Sequence, residues 1–192
     1  MRRVIALCTT LAATPLLADG MREADRDRYE RFEAIFGMAM RQALALGDAV
    51  DVGLLTAALG GAAQPGLDPS GDWLCRWMKL GDTTPLVVYS NFDCRITEDG
   101  DGWRLEKLTG SQRFTGRLSL HDDGWLYTGV AFVGDAPATD YAGLPPGDQT
   151  PVEPNQTTAQ IGLFQQVSEV SARLLLPDPV LESDFDVISL SR

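Results

Sequence analysis

Gly71-Asp72-Trp73-Leu74-Cys75-Arg76-Trp77-Met78-Lys79-Leu80 marks the point at which the hydrophobic period of this chain changes from helical to two. In an extended strand successive side chains point to opposite faces. Trp73, Cys75 and Trp77 therefore share one face. Leu74, Arg76, Met78 and Leu80 share the other, a mixed face suited to receive a helix. Strands are expected near Asp72–Leu80, Leu86–Ile96, Trp103–Leu108, Gln112–Leu120, Trp125–Val133, Thr158–Val167, Val170–Leu176 and Phe185–Leu190. Asp99-Gly100-Asp101-Gly102 and Asp122-Asp123-Gly124 are strong hairpin signals, and Gly110-Ser111 suits a two-residue turn with glycine first. Successive short hairpins predict an antiparallel meander of about eight strands, and a meander of that size curls and closes because closure removes unpaired edges. The expected fold class is mainly β with N-terminal helices: an up-and-down barrel over residues 67–192, with one or two helices from residues 19–66 packed on it.

Upstream of the strands the pattern is helical. From about Asp25, Tyr29, Phe32, Phe36, Met40, Ala43 and Leu46 recur every three or four residues, as on one face of an amphipathic helix. Asp25 is the expected N-cap and Gly47 the expected stop. A second short helix fits Asp51 to Leu59, ended by Gly60-Gly61. Between Gly134 and Gln156 lies a stretch with five prolines and no period, containing Tyr141. A loop of that length either covers something, such as a barrel mouth, or runs loose over the surface.

The N-terminus reads as an export signal. Arg2 and Arg3 precede an uncharged run, Val4 to Leu17, and Ala18 is the small residue at which cleavage is expected. The apolar run is about 14 residues, too short to span a bilayer core of ~30 Å as a helix. Cleavage after Ala18 would remove Cys8 and leave 174 residues with no transmembrane segment. It would also take Arg2 and Arg3, moving the formal charge from −11 to −13. The expected location is periplasmic or secreted. So acidic a chain is a poor partner for nucleic acid, whereas a cationic protein partner is permitted. Cys75 and Cys94 remain, and an even pair in an oxidising compartment predicts a disulfide. Both stand on the bulkier apolar faces of neighbouring strands, Cys94 with Val88, Phe92 and Ile96, so a cross-strand bridge is expected.

No catalytic constellation is visible. Ser119, His121 and Asp122 lie together but belong to a turn, and a triad needs a base oriented by a third group. His121 is the single histidine of the chain, which speaks against a zinc hydrolase. The run Thr97–Gly102 resembles a calcium loop only superficially: an EF-hand needs an oxygen ligand first and a glutamate twelfth, where this chain has Thr97 and Leu108. No catalytic, metal or cofactor residue is therefore assigned. Arg76, Lys79, Arg95, Arg104, Lys107, Arg113 and Arg117 stand among apolar neighbours in the strands. Either some line the barrel interior and hold an anionic or polar ligand, or they form ordinary surface ion pairs; the second is the plainer reading, since barrel exteriors need charge too.

Gly71-Asp72-Trp73-Leu74-Cys75-Arg76, Lys79-Leu80-Gly81, Pro85-Leu86-Val87-Val88-Tyr89 and Phe92-Asp93-Cys94-Arg95 form one block. Trp103 to Arg113, with its Thr-Gly-Ser-Gln-Arg turn, forms another, and Glu182-Ser183-Asp184-Phe185-Asp186-Val187 closes the chain. Together they resemble the proteobacterial family catalogued as domain of unknown function 4893. The resemblance spans the mature chain and implies an exported, disulfide-bonded single domain, with no activity to carry over. Gly71-Asp72-Trp73 is also similar to the Gly-x-Trp opening of lipocalin-type barrels, a likeness of architecture only. The leading functional expectation is a non-enzymatic barrel binding a small polar or anionic ligand through Trp73, Trp77, Tyr89, Arg113, Tyr127 and Tyr141. The rival is an envelope interaction or inhibitor module that turns its acidic loops, Glu98–Asp101 and Asp122–Asp123, toward a cationic protein.

Overall fold

The structure is a computed structural model and describes residues 20–121, 124–147 and 149–192. The expected signal segment and the Asp122-Asp123 pair lie outside the described residues. Among the described residues three helices, α1 (Glu23–Glu30), α2 (Phe32–Leu46) and α3 (Ala49–Leu59), precede eight strands. These are β1 (Gly71–Gly81), β2 (Thr84–Asp99), β3 (Gly102–Lys107), β4 (Gln112–His121), β5 (Gly124–Val133), β6 (Thr158–Ser168), β7 (Ser171–Pro177) and β8 (Phe185–Ser191). Each strand pairs antiparallel with the next, and β8 pairs with β1 to close the barrel. The expected meander is thus the observed one, and its eight strands match the predicted segments to within a few residues at each end.

Alternation sorts each strand into an inner and an outer face. Trp73, Cys75, Cys94, Ile96, Leu105, Phe114, Leu118, Tyr127, Phe164, Leu174, Ile188 and Leu190 fill the interior as one cluster. The Cys75–Cys94 disulfide forms inside it. Its halves are diagonal across the pair, because Trp73 stands opposite Cys94 and Cys75 opposite Phe92. Gly116 and Gly129 face each other on β4 and β5, and a Cβ at either would run into the Tyr127 side chain. The two glycines thus let the phenol ring lie across the barrel.

A register shift between Arg76 and Met78 alters the expected face of Val88. It places Val88 opposite Met78 on the outside, while Phe92, Cys94 and Ile96 stay within. There Met78 and Leu80 pack with Leu86, Phe185 and Val187 against Ile35, Ala39 and Ala43 of α2 and Leu55 of α3. The mixed face of β1 therefore does receive the helices.

The helical segment departs from expectation at both starts. The long helix breaks at Arg31, and its first turn is led by Arg22; Asp25 lies within α1, fully buried, and is not a cap. The periodic pattern could not show this because the side chain is recruited by distant residues. Leu46 faces solvent despite its place in the period. Gly47 does end α2. The next helix begins at Ala49 rather than Asp51, because Asp48 caps it by accepting from the Val50 N–H at 2.8 Å.

Candidate functional site

The barrel ends differ. At one end lie the β2–β3, β4–β5 and β6–β7 turns; at the other lie the β1–β2 and β3–β4 turns, the long β5–β6 loop and the β7–β8 loop. Trp73, Trp103 and Trp125 stand near the first end and, with Phe164 and the disulfide, leave its interior packed. Toward the second end the inner face turns polar. Lys79 on β1, Lys107 on β3, Gln112 on β4, Thr158 and Gln160 on β6 and Asp186 on β8 all continue the inward register of the apolar core. All but half-buried Gln112 are buried.

These residues line two adjoining cavities. One, of about 60 Å³, lies among Trp77, Lys79, Phe132, Thr158, Gln160 and Asp186 beneath Val180 and Leu181. The other, of about 420 Å³, opens among Trp77, Tyr89, Phe92, Lys107 and Ser111. Trp77, Gln112 and Glu182 stand in the walls of both. The mouth is roofed by the β7–β8 loop, which forms a hoop. Its base is tied by Asp178 N–H to the Asp184 carbonyl at 2.9 Å and by Asp184 N–H to the Leu80 carbonyl at 2.9 Å. From the hoop Glu182 reaches inward: Lys79 Nζ donates to its carboxylate at 2.7 Å and Gln112 Nε2 at 3.4 Å. Glu182 adopts φ +73°, a left-handed conformation that costs a residue with a Cβ free energy.

The charges at this mouth are not equivalent. Lys107 Nζ donates to the carbonyls of Thr109 and Gln112 at 2.8 and 2.5 Å and lies 3.7 Å from the centre of the Phe92 ring. Burial, with Arg113 nearby, lowers its pKa to about 8. Asp186 is enclosed; burial pushes its carboxyl up to about 6, against the pull of the Lys79 charge and a 2.7 Å hydrogen bond from Ser183 Oγ. The Trp77 indole Nε1 is buried without a hydrogen bond of acceptable geometry, although the ring stands close enough to Asp186 to help hold that carboxyl down. The Lys79 ammonium pulls the Glu182 carboxyl below its usual range.

The basic strand residues divide cleanly. Lys79 and Lys107 point inward. Arg95, Arg104, Arg113 and Arg117 make outward ion pairs with Asp72, Asp99, Asp135 and Asp101, and Arg76 bonds Asn91. Of the six residues expected to hold a ligand, Trp77 and Tyr89 line the mouth and Tyr127 lies in the core beneath it, donating to Gln160 Oε1 at 3.3 Å. Trp73 is packed toward the other end, its Nε1 bonded to the Pro69 carbonyl and Arg192 over its ring. Arg113 braces the Gly110 carbonyl from outside. Tyr141 stands on the outer wall, donating to Asp25 at 2.6 Å.

The long loop accordingly covers the barrel wall rather than the mouth. Leu144 packs on Val130, Phe132 and Ala159, and Pro145 O and Gln149 bond Arg22. Of its described residues only Gln156, near its end, lines the smaller cavity. Glu182, Asp186, Gln112 and Gln160 carry no signal beyond strand parity; extending the inward register of Ile188 and Leu190 back to Asp186 finds one of them. A further cavity of about 450 Å³ at the opposite end is lined by Leu67, His121, Trp125 and Gln166.

The molecule is therefore a closed eight-stranded antiparallel barrel with a packed lower half, a polar upper mouth and a helical flank. The chain belongs to the family described as Domain of unknown function (DUF4893), whose profile matches residues 19–190. No curated protein and no solved structure matches it.

Proposed function

We propose that this is an exported, non-enzymatic binding protein that takes a small polar or anionic ligand at the upper mouth of its barrel. The observation that carries the reading is the change of inner lining from apolar to polar within one continuous register. An eight-stranded barrel is either filled by side chains or holds one small ligand. This one is filled through its middle by the apolar cluster, and its upper half holds two lysines, a buried indole N–H beside Asp186 and aromatic walls around open volume. Such a lining, apolar with a few convergent polar groups, is what ligand sites present. Export is supported by the sequence of the first eighteen residues and by the Cys75–Cys94 bridge, which persists in oxidising compartments. Among the described residues no helix is long and apolar enough to cross a membrane.

The interaction-module reading gains no comparable support: Asp99 is engaged by Arg104 of the same hairpin, and Asp101 by Arg117 of β4. Native mass spectrometry of protein purified from its own cell envelope tests the proposal. A co-purifying species of small-molecule mass, lost when Gln112→Trp fills the mouth, is expected; a bare protein mass in both forms counts against it.

A further inference from the structure

The occupant of the Lys79 site is the molecule's own Glu182, and this identifies what a ligand must bring. Lys79 Nζ enters the mouth from the inner face of β1 with its side chain only 9% exposed, while the Glu182 side chain that meets it is 51% exposed. The lysine is built in. The glutamate reaches it from a hoop tied at its base, in a backbone conformation that favours glycine, and among the described residues its carboxylate is otherwise held only by the long contacts from Gln112. An exposed partner in an ion pair contributes little net stability. Around the pair lie the Trp77 ring, whose centre is 5.4 Å from Lys79 Nζ, and the apolar walls of Phe132, Val180 and Leu181.

We infer that the Glu182 carboxylate is an internal stand-in for the ligand's anionic group, and that the mouth selects a small organic anion, carboxylate or sulfonate, joined to an aromatic or apolar body. The inference rests on the binding reading above and deepens it. On binding, the ligand's anion takes the Lys79 and Gln112 donors, Glu182 swings to solvent on the hoop, and the apolar body lies against Trp77 and toward Phe92. With Glu182 displaced, Lys79 and Lys107 outnumber the Asp186 carboxylate in these walls, so a cationic ligand would meet the unfavourable sign. In a chain of net charge −11 these two inward lysines are a local exception, and an anion entering the mouth gains from them what it would be refused elsewhere on the surface.

A matched pair of fluorescent probes separates the possibilities: 1-anilinonaphthalene-8-sulfonate and its neutral parent, N-phenyl-1-naphthylamine, titrated into the full chain. Glu182→Gln removes the competitor and should tighten the sulfonate about fivefold, the factor an exposed ion pair is worth. Lys79→Met should weaken it at least about tenfold, as loss of a charge-assisted hydrogen bond does. The neutral amine should change by less than about twofold in either variant, which also reports that the cleft is intact. If Glu182→Gln leaves the sulfonate unchanged or weakens it while the amine still binds, the stand-in role is wrong and the mouth remains a ligand site. If neither probe saturates the wild-type protein, the binding reading falls with it.

Discussion

Charge is buried in two places on this barrel, and the two are built differently. On the outer wall Asp25 is enclosed by Arg22 at 2.7 Å, Arg28 at 2.9 Å, Tyr141 Oη at 2.6 Å and Gln149 Nε2 at 2.9 Å. Arg28 goes on to the carbonyls of Asp178 and Ala159, leaving only its Nε without a partner. This cluster joins α1, the long loop and the sheet. At the upper mouth the charged groups border open volume instead: Asp186 is enclosed with its carboxyl raised, the buried Trp77 N–H stands beside it, and Glu182 is half out in water. The comparison teaches that burial of charge does not by itself mark a site. A cluster whose opposite charges are enclosed together is a fastener; one whose buried lysine is met by a half-exposed carboxylate beside a cavity is available to a ligand.

The largest expected difference follows from removing a charge from each. Asp25→Asn leaves Arg28 enclosed without its counter-ion and should cost about 3–5 kcal/mol in urea unfolding, with probe binding at the mouth unchanged in the folded protein. A loss below about 1 kcal/mol would mean the fastener is dispensable.

The second difference is in pH dependence, and its sign separates the two regions. Burial alone would raise the Asp25 carboxyl, but the hydrogen bond from Arg22 and the charge of Arg28 overcome it and hold its pKa below 3.8. Its contribution is therefore complete above pH 3.8 and is lost as pH falls through the lowered folded value. For Asp186 the folded carboxyl binds its proton more tightly than the unfolded one. Stability from this group is therefore highest below pH 3.8 and declines as pH rises from 3.8 to about 6. That gap corresponds to about 3 kcal/mol. Asp186→Asn should equal wild type near pH 4 and exceed it by up to about 3 kcal/mol at pH 7.5. Equal stability at both pH values would place Asp186 in water.

The smallest effect is expected from Lys79→Met. Its hydrogen-bond partner Glu182 is half exposed, so near pH 4, where the enclosed Asp186 carboxyl is protonated and needs no counter-charge, chemical denaturation should shift by no more than about 1 kcal/mol. A larger loss would make the Lys79–Glu182 pair a second fastener and take it out of the binding site.

How much of this was readable beforehand differs along the same line. The barrel followed from period-two runs and glycine-rich turns, because every strand has one face in a core and alternation records that directly. The fastener was invisible: Asp25 looks like an N-cap in sequence, and its true partners, Tyr141 and Gln149, lie 116 and 124 residues away. At the mouth Trp77 and Tyr89 stand out in the sequence because aromatic residues are conspicuous in strands. Lys79 and Lys107 stand in the sequence among the other basic strand residues, and composition does not divide them from the outward arginines. The bulge at Arg76–Met78 and the hoop at 178–184 set which polar groups converge, and neither leaves a mark in hydrophobic period.

The chain's four tryptophans offer the most direct test, because Trp73, Trp103 and Trp125 sit toward the packed end and Trp77 at the mouth. In a ¹H–¹⁵N spectrum of the indole groups, titration with 1-anilinonaphthalene-8-sulfonate should shift the Trp77 Nε1–H resonance saturably and leave that of Trp73 in place. A Trp77 signal that stays still while Trp125 moves, or a spectrum in which no indole responds, would contradict a ligand site at the upper mouth.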